Sequence, residues 1–285
     1  MQMQPFKRLI GDEIDSSLCD LYRALLTPVH HQLRYHDNNN LLKRTRSIFS
    51  FGGYFSYFIL NSELIHFKLL KVLELRHIEI DNFPVQILSL IWLRYLELLF
   101  RGEMFDIPPE ISRLWNLQTF NVKGSNRSFE VIMGIQNVKE LGISRYGNVT
   151  DFTGLLNNLV YLQQLETLSV TICCNLLPSS AKAFPATIKK LNLNSTYLSW
   201  SYLDIIAEFP NLELLKLIDD ACLGEEWHPN VKGFTRLKLL LIEDSHLKYW
   251  KATDGNFPIL ELIRIRSCYY LKEIHIEFAD INTLH

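Results

Sequence analysis

Aliphatic residues recur along the chain in a six-position pattern, LxxLxL, in which the first, fourth and sixth residues are apolar. Leu70, Leu73 and Leu75 form the first clear copy. The middle apolar residues of the eight further copies are Leu96, Phe120, Leu141, Leu168, Leu191, Leu215, Leu240 and Ile263. A weaker copy upstream places Phe49 and Phe51 in its last two apolar positions. Because successive copies lie 21 to 27 residues apart, the pattern divides most of the chain into repeats of similar length.

Each copy predicts a short strand with one buried face. Alternate side chains of a strand point to opposite faces, so the fourth and sixth positions point inward and the residue between them points outward. Phe83, Ile87 and Leu90 predict that the segment returning to the next strand fills the back of the core. Pro84 fits such a segment, because proline there removes no hydrogen bond between strands.

The period distinguishes two architectures. A doubly wound α/β domain would need longer amphipathic helices between its strands than these segments allow. Leucine-rich repeats have periods of about 20 to 29 residues, and each repeat buries its inner face only against a neighbour. The sequence therefore predicts an α/β leucine-rich-repeat solenoid of about ten repeats. We expect it to be curved, with a parallel sheet on the concave face and irregular or short helical segments on the convex side.

The ends of the chain depart from the repeat. Apolar residues between positions 6 and 26 follow helix-like spacing, which predicts a cap or the tail of another domain. Residues 31–36 predict a short strand, and residues 37–40 predict a turn. Leu284 lies 24 residues after Leu260 and would begin a further repeat. We therefore expect an N-terminal remnant or capping segment over residues 1–40, and a leucine-rich-repeat domain over residues 41–285 that is truncated within a repeat.

Composition and missing motifs argue against catalysis. Leucine occupies 49 of 285 positions, and 29 basic residues nearly balance 31 acidic ones, which disfavours nucleic-acid binding. No uncharged apolar run is long enough for a transmembrane segment, no secretory signal is present, and the five cysteines form no CxxC pair. The patterns GxSxG and HExxH are absent. The sequence predicts a non-enzymatic cytoplasmic protein without cofactor or metal, with peripheral association at membranes left open.

Several stretches resemble known plant proteins. The run of residues 67–111 begins FKLLKVLELRHIEIDNFPVQILSLIWLRYLEL and ends IPPEI, and it resembles the repeat region of plant intracellular immune receptors. The phrases GEEW at 224–227, LKYWKAT at 247–253 and CYYL at 268–271 are similar to late blight resistance proteins of the nightshade family. This resemblance, over roughly residues 28–285, implies a protein-recognition module that holds a nucleotide-binding switch domain inactive. Its partners would be that switch domain and a pathogen effector or a guarded host protein.

The chain also departs from such receptors. It has no GxxxxGK[ST] loop and no Met-His-Asp signature, so it lacks their nucleotide-binding residues. Ile78, Arg101 and Asp220 stand where an asparagine is expected after the strand, and Cys173 and Cys268 are the nearest substitutes. A substrate adaptor of an F-box ubiquitin ligase is the alternative function, although the first 30 residues are short for an F-box. An enzyme on a solenoid scaffold would need a convergent acid, base or nucleophile.

The concave face contains the candidate partner-binding residues. Its central outward positions change from acidic at Glu74 and Glu97 to basic at Lys216 and Arg264. A solenoid presents such side chains on one extended surface, although charges that only keep the sheet soluble are the alternative. Trp227 and Trp250 fit either an interface or the core. The predicted surface consists of Glu74, Arg76, Arg94, Tyr95, Glu97, Asn121, Ser169, Lys189, Asn192, Lys216, Arg264 and Arg266.

Overall fold

The chain forms two compact units, an N-terminal unit, Met1–Val138, and a C-terminal unit, Lys139–His285. In each unit, short parallel strands alternate with segments that contain 3-10 turns. The computed structural model describes residues 7–8, 23–26, 45–50, 64–101, 106–124, 132, 134–145, 156, 158–171, 177–229, 233–274, 278 and 282–283.

The N-terminal unit contains six strands that pair in chain order and in parallel. They are β1 (Lys7–Arg8), β2 (Arg23–Leu26), β3 (Ser47–Ser50), β4 (Val72–Ile80), β5 (Tyr95–Phe100) and β6 (Thr119–Lys123). Its 3-10 turns are Leu64–His66, Val85–Ser89 and Pro109–Arg113. The pairing of β4 with β5 shifts register between Leu75 and Glu79, so β4 contains an irregularity after its central residues.

The C-terminal unit has seven strands in its main sheet and two short parallel pairs on the return segments. Its strands are β7 (Glu140–Ser144), β8 (Thr167–Thr171), β9 (Lys190–Asn194), β10 (Leu198–Ser199), β11 (Leu214–Ile218), β12 (Cys222–Leu223), β13 (Glu226–Trp227), β14 (Leu239–Glu243), β15 (Tyr249–Trp250), β16 (Leu262–Arg266) and β17 (Asn282–Thr283). The short pairs are β10 with β12 and β13 with β15. The helix α1 is Leu203–Ala207, and the 3-10 turns are Leu159–Tyr161, Ala181–Ala183, Trp200–Tyr202 and Asp254–Asn256.

The inward residues of the strands form the core, as the sequence pattern predicts. All nine clear copies of LxxLxL lie at strands, and their inward pairs are at most 2% exposed through Leu240 and Ile242. In the last copy Ile263 is buried and Ile265 is half-buried. The return segment at Phe83, Ile87 and Leu90 is also buried. The predicted leucine-rich-repeat fold is confirmed.

The weak upstream copy differs from its prediction by one residue. Ile48, not Phe49, is paired with Leu73 and is fully buried, whereas Phe49 lies opposite Glu74. Because side chains alternate along a strand, this shift of one residue exchanges the two faces. Ser50, two residues after Ile48, is buried, and its hydroxyl donates to Glu74 Oε1 at 3.5 Å. Phe51 lies outside the described residues.

The N-terminal segment also differs from its prediction. Lys7–Arg8 and Arg23–Leu26 are parallel strands, so the helical structure indicated by the spacing of apolar residues is wrong at these positions. Ala24 pairs with Ile48, 24 residues later, which continues the repeat spacing upstream. Residues 31–40 and Leu284 lie outside the described residues, and the division of the chain at residue 40 stays a prediction.

A left-handed residue follows four strands of the C-terminal unit. Ser195, Asp219, Asp244 and Ser267 have φ angles of 48°, 51°, 49° and 51°. The amides of Ser195, Asp219 and Asp244 each donate to a carbonyl of the next strand, at 3.0 Å. Aspartate tolerates this conformation better than most residues with a Cβ atom, because its short side chain interacts with the nearby backbone. This turn therefore ends the strand without losing the hydrogen bond to the next repeat.

Replacing Asp244 tests the conformational requirement of this turn. We expect Asp244→Gly to change the free energy of unfolding by less than about 1 kcal/mol, because glycine adopts positive φ readily. Asp244→Val is expected to lower it by about 1–2 kcal/mol, because a β-branched residue is strained there. Urea denaturation measures both values. At Ser144, in the extended strand β7, the order of the glycine and valine variants should reverse, and the same order at both sites would contradict this explanation.

Candidate functional site on the open face of the strands

The outward strand residues form the open face of each unit, and most of the predicted site residues lie on it. In the N-terminal unit, Glu74, Glu97 and Asn121 occupy neighbouring positions on β4, β5 and β6. In the C-terminal unit, the corresponding row contains Gly142, Ser169, Asn192, Lys216, Leu241 and Arg264. Tyr95 and Arg266 lie at the ends of strands in the two units, whereas Arg94 and Lys189 precede strands.

Glu74 is buried in a network of donors. It is 3% exposed, although it points to the open face. Its Oε1 atom accepts from Arg76 Nε at 2.7 Å, from the Arg76 amide at 3.0 Å and from Ser50 Oγ at 3.5 Å. The side-chain hydrogen bond to Glu74 raises the pKa of Arg76. The charge of Glu74 is therefore compensated by a neighbour on its own strand.

Glu97 is held in a similar way on the next strand. It is 5% exposed, and its Oε2 atom accepts from the Tyr95 hydroxyl at 2.5 Å. Asn121 Nδ2 donates to the same hydroxyl at 3.2 Å, and Lys123 Nζ lies 3.8 Å from Glu97 Oε1. Burial, followed by the hydrogen bond to Glu97, raises the pKa of Tyr95. Arg76 Nε also lies 4.0 Å from Glu97 Oε2. The carboxylates of Glu74 and Glu97 are therefore accompanied by two cations, Arg76 and Lys123.

The basic candidates of the C-terminal unit have a different environment. Lys216, Arg264 and Arg266 make no side-chain hydrogen bond or ion pair in the part of the chain that the structure describes. Arg264 Nε is buried and has no hydrogen-bond partner there. Between the acidic and basic positions, Asn192 Nδ2 donates to Ser169 Oγ at 2.9 Å. The sequence predicted a change of charge along the face, and the structure adds that these basic side chains have free hydrogen-bonding capacity.

Apolar residues that are not part of the predicted surface lie beside these cations. Leu214, Leu239 and Leu262 occupy neighbouring positions on β11, β14 and β16, and all three are half-buried. Leu241 is 7% exposed and lies between Lys216 and Arg264. The sequence contains a signal for this row, because in three successive copies of LxxLxL the residue directly before the middle apolar residue is a leucine. The open face of the C-terminal unit therefore combines leucines with unpaired cations.

Two further predicted residues have local roles. Lys189 Nζ forms an ion pair with Glu166 Oε2 at 3.2 Å, at the position just before each strand. Arg94 is exposed at the same position of the N-terminal unit. In the C-terminal unit these positions alternate in charge from repeat to repeat, and they are Lys139, Glu166, Lys189, Glu213, Lys238 and Glu261. Lys238 Nζ is 3.5 Å from Glu213 Oε2, so the alternation produces a second ion pair between repeats.

Trp227 and Trp250 belong to the core, which is one of the two possibilities left open by the sequence. They are 1% and 3% exposed. An aromatic stack formed by Trp200, Trp227, Trp250 and Phe278 has centroid separations of 5.1, 5.9 and 5.0 Å. Trp200 Nε1 donates to Gly224 O at 3.0 Å. Gly224 has a φ of 117°, and an added Cβ atom would lie 3.2 Å from Trp200 Cδ1, so glycine is required for this contact.

The described thiols have no feature of a reactive cysteine. Burial raises the pKa of Cys222, which is 3% exposed. Burial also raises the pKa of Cys268, whose Sγ atom donates to Arg266 O at 3.2 Å. Cys173 lies outside the described residues. Within the described part of the chain, no three or more His, Cys, Asp or Glu side chains are arranged to hold a metal ion, and no helix has the length and apolar character needed to cross a membrane.

Comparison with known proteins identifies relatives and fold neighbours. No family model matches the chain. The late blight resistance protein homologues R1B-16 and R1B-13 of Solanum demissum are each 30% identical to it, over 80% and 78% of the chain. These matches cover 22% and 24% of the two relatives, so the chain spans about a quarter of their length or less.

Solved structures show the same fold. A leucine-rich-repeat protein of Leptospira interrogans has a TM-score of 0.52 and 20% identity, over 80% of this chain and 57% of its own. The functional domain of InlJ from Listeria monocytogenes has a TM-score of 0.52 and 14% identity, over 84% of this chain and 52% of its own. At these identities the likeness concerns the fold alone.

Proposed function

The chain is a leucine-rich-repeat relative of the late blight resistance proteins, and from this premise we propose that it is the protein-recognition and autoregulatory module of a plant disease-resistance protein. It binds partners through the open face and performs no chemistry of its own. The observation that carries this proposal is the combination of half-buried leucines with Lys216 and Arg264, whose charges have no partner among the described residues. Such a surface gains from contact with another protein, because contact covers the leucines and pairs the cations.

The proposed mechanism is differential binding. The module contacts the nucleotide-binding switch domain in the inactive arrangement and contacts a pathogen-derived or guarded host protein in the active one. A partner that binds one arrangement more tightly shifts the population towards it. Because the chain lacks a GxxxxGK[ST] loop, nucleotide exchange would take place on the switch domain.

Co-expression in leaf tissue tests this function. The full chain is expressed with the part of R1B-16 that lies outside the matched region. We expect the two to co-precipitate. The functional domain of InlJ is the matched control, because it shares the fold at 14% identity. Absence of association, or equal association of the InlJ domain, would contradict the proposal.

A further inference from the structure

We propose that a strip on the open face of the C-terminal unit binds an acidic, apolar segment of a protein partner. This leucine–cation strip consists of Leu214, Leu239, Leu241, Leu262, Lys216 and Arg264. The inference rests on the proposed function, because it assigns a partner chemistry to one part of the open face.

The apolar half of the strip is a straight row across three strands. Leu214 is paired with Leu239, and Leu239 is paired with Leu262. Neighbouring strands lie about 4.8 Å apart, so the row extends about 10 Å across the sheet. All three side chains are half-buried, on the side of the strands that faces away from the core. The row can therefore accept two or three apolar side chains of a partner without any rearrangement of the strands.

The basic half of the strip lies two residues further along the same strands. Lys216, Leu241 and Arg264 are neighbours across β11, β14 and β16. Arg264 Nε is buried and lacks a hydrogen-bond partner among the described residues. The residue as a whole is half-buried, and a carboxylate is the acceptor that best fits the accessible part of a guanidinium. A partner with carboxylates one step from its apolar residues would satisfy both halves at once.

The contrast with the N-terminal unit supports this choice of charge. Glu74 and Glu97 are already compensated by Arg76 and Lys123. They are at most 5% exposed, so they offer little to a partner. The uncompensated charge of the strip is positive, which selects an acidic segment by electrostatic complementarity.

The same features disfavour nucleic acid as the occupant. A phosphate backbone requires a row of cations, whereas the centre of the strip is apolar. We therefore assign the strip to a protein segment.

Three labelled peptides of equal length provide a direct test with the full chain. One repeats two leucines followed by two glutamates, which places both residue types two positions apart on the same face of an extended peptide. The second has lysines in place of the glutamates, and the third has serines in place of the leucines. We expect the leucine–glutamate peptide to bind at least about tenfold more tightly than either of the others, since it alone matches both halves of the strip. Its affinity should fall as salt is added, because partly exposed charge pairs are screened.

Two variants locate the binding site. Lys216→Glu combined with Arg264→Glu should weaken the leucine–glutamate peptide at least about tenfold and favour the leucine–lysine peptide. Leu239→Ser combined with Leu262→Ser should weaken both leucine peptides. Lys182→Glu is the matched control, because Lys182 is exposed on a return segment and its reversal changes the net charge in the same direction. Circular dichroism establishes that each variant is folded.

The outcomes separate this inference from the proposed function. Equal binding of the two leucine peptides, or no response to the Lys216 and Arg264 reversal, overturns the inference. Tighter binding of a single-stranded oligonucleotide or an anionic vesicle than of the leucine–glutamate peptide also overturns it. If the chain still associates with R1B-16 after such a result, the proposed function stands without the strip. If strip-dependent peptide binding is found without that association, the strip stands and the proposed function is wrong.

Discussion

Replacing Trp227 by alanine is expected to lower the free energy of unfolding by about 3–5 kcal/mol, the usual cost of removing a buried aromatic side chain. Trp227 lies between Trp200 and Trp250, and its edge contacts to Phe234 and Phe257 have centroid separations of 6.2 and 5.9 Å. Trp227 Nε1 has no hydrogen-bond partner in the described part of the chain. The loss therefore measures packing, because the substitution breaks no hydrogen bond.

Urea denaturation followed by far-UV circular dichroism measures this loss. Trp115→Ala is the matched control, because the same substitution is made at a side chain that is 56% exposed. We expect the control to cost less than about 1 kcal/mol. Similar losses for the two variants would show that the aromatic stack does not stabilise the C-terminal unit.

Replacing Glu97 by alanine is expected to lower the free energy of unfolding by about 2–3 kcal/mol. The substitution removes the acceptor of the Tyr95 hydroxyl and leaves Lys123 without its carboxylate. Glu97→Gln should cost less, because an amide oxygen can still accept the hydrogen bond from Tyr95. The comparison therefore separates the loss of the acceptor from the loss of charge.

Chemical denaturation of the two Glu97 variants and of Glu110→Ala tests this expectation. Glu110 is exposed in a return turn, so its loss should change the free energy of unfolding by less than about 0.5 kcal/mol. If Glu97→Ala is as stable as Glu110→Ala, the buried carboxylates do not stabilise the strands. If Glu97→Gln is the less stable of the two Glu97 variants, the explanation through the Tyr95 hydroxyl is wrong.

The sequence predicted the strands well because a repeated inward pair has one geometric solution. A copy such as Leu168 and Val170 buries both side chains only if it is extended and stacked on its neighbours. The prediction was wrong where two registers were equally apolar. Ile48 and Phe49 are adjacent and both apolar, so the spacing of apolar residues alone does not decide which of them pairs with Leu73.

The candidate site was predicted less completely, because outward residues were selected for polar or charged side chains. That criterion found Lys216 and Arg264 but could not show that Glu74 is compensated by Arg76, since pairing depends on distances between side chains. It also passed over Leu239, since an apolar residue inside a leucine-rich segment resembles core. The one-sided accumulation of leucines becomes visible only when strands are aligned by their registers.

The alternating charges before the strands of the C-terminal unit bear on how such a gene can change its length. Each of these residues lies next to one of opposite sign in the adjacent repeat, as Lys189 lies beside Glu166. Unequal crossing-over that deletes or duplicates a single unit would bring two like charges together at the junction, at a cost of a few tenths of a kcal/mol to about 1 kcal/mol. Deletion or duplication of two repeats at a time would keep opposite charges next to each other. The charged positions before the strands therefore favour related genes that differ by an even number of repeats.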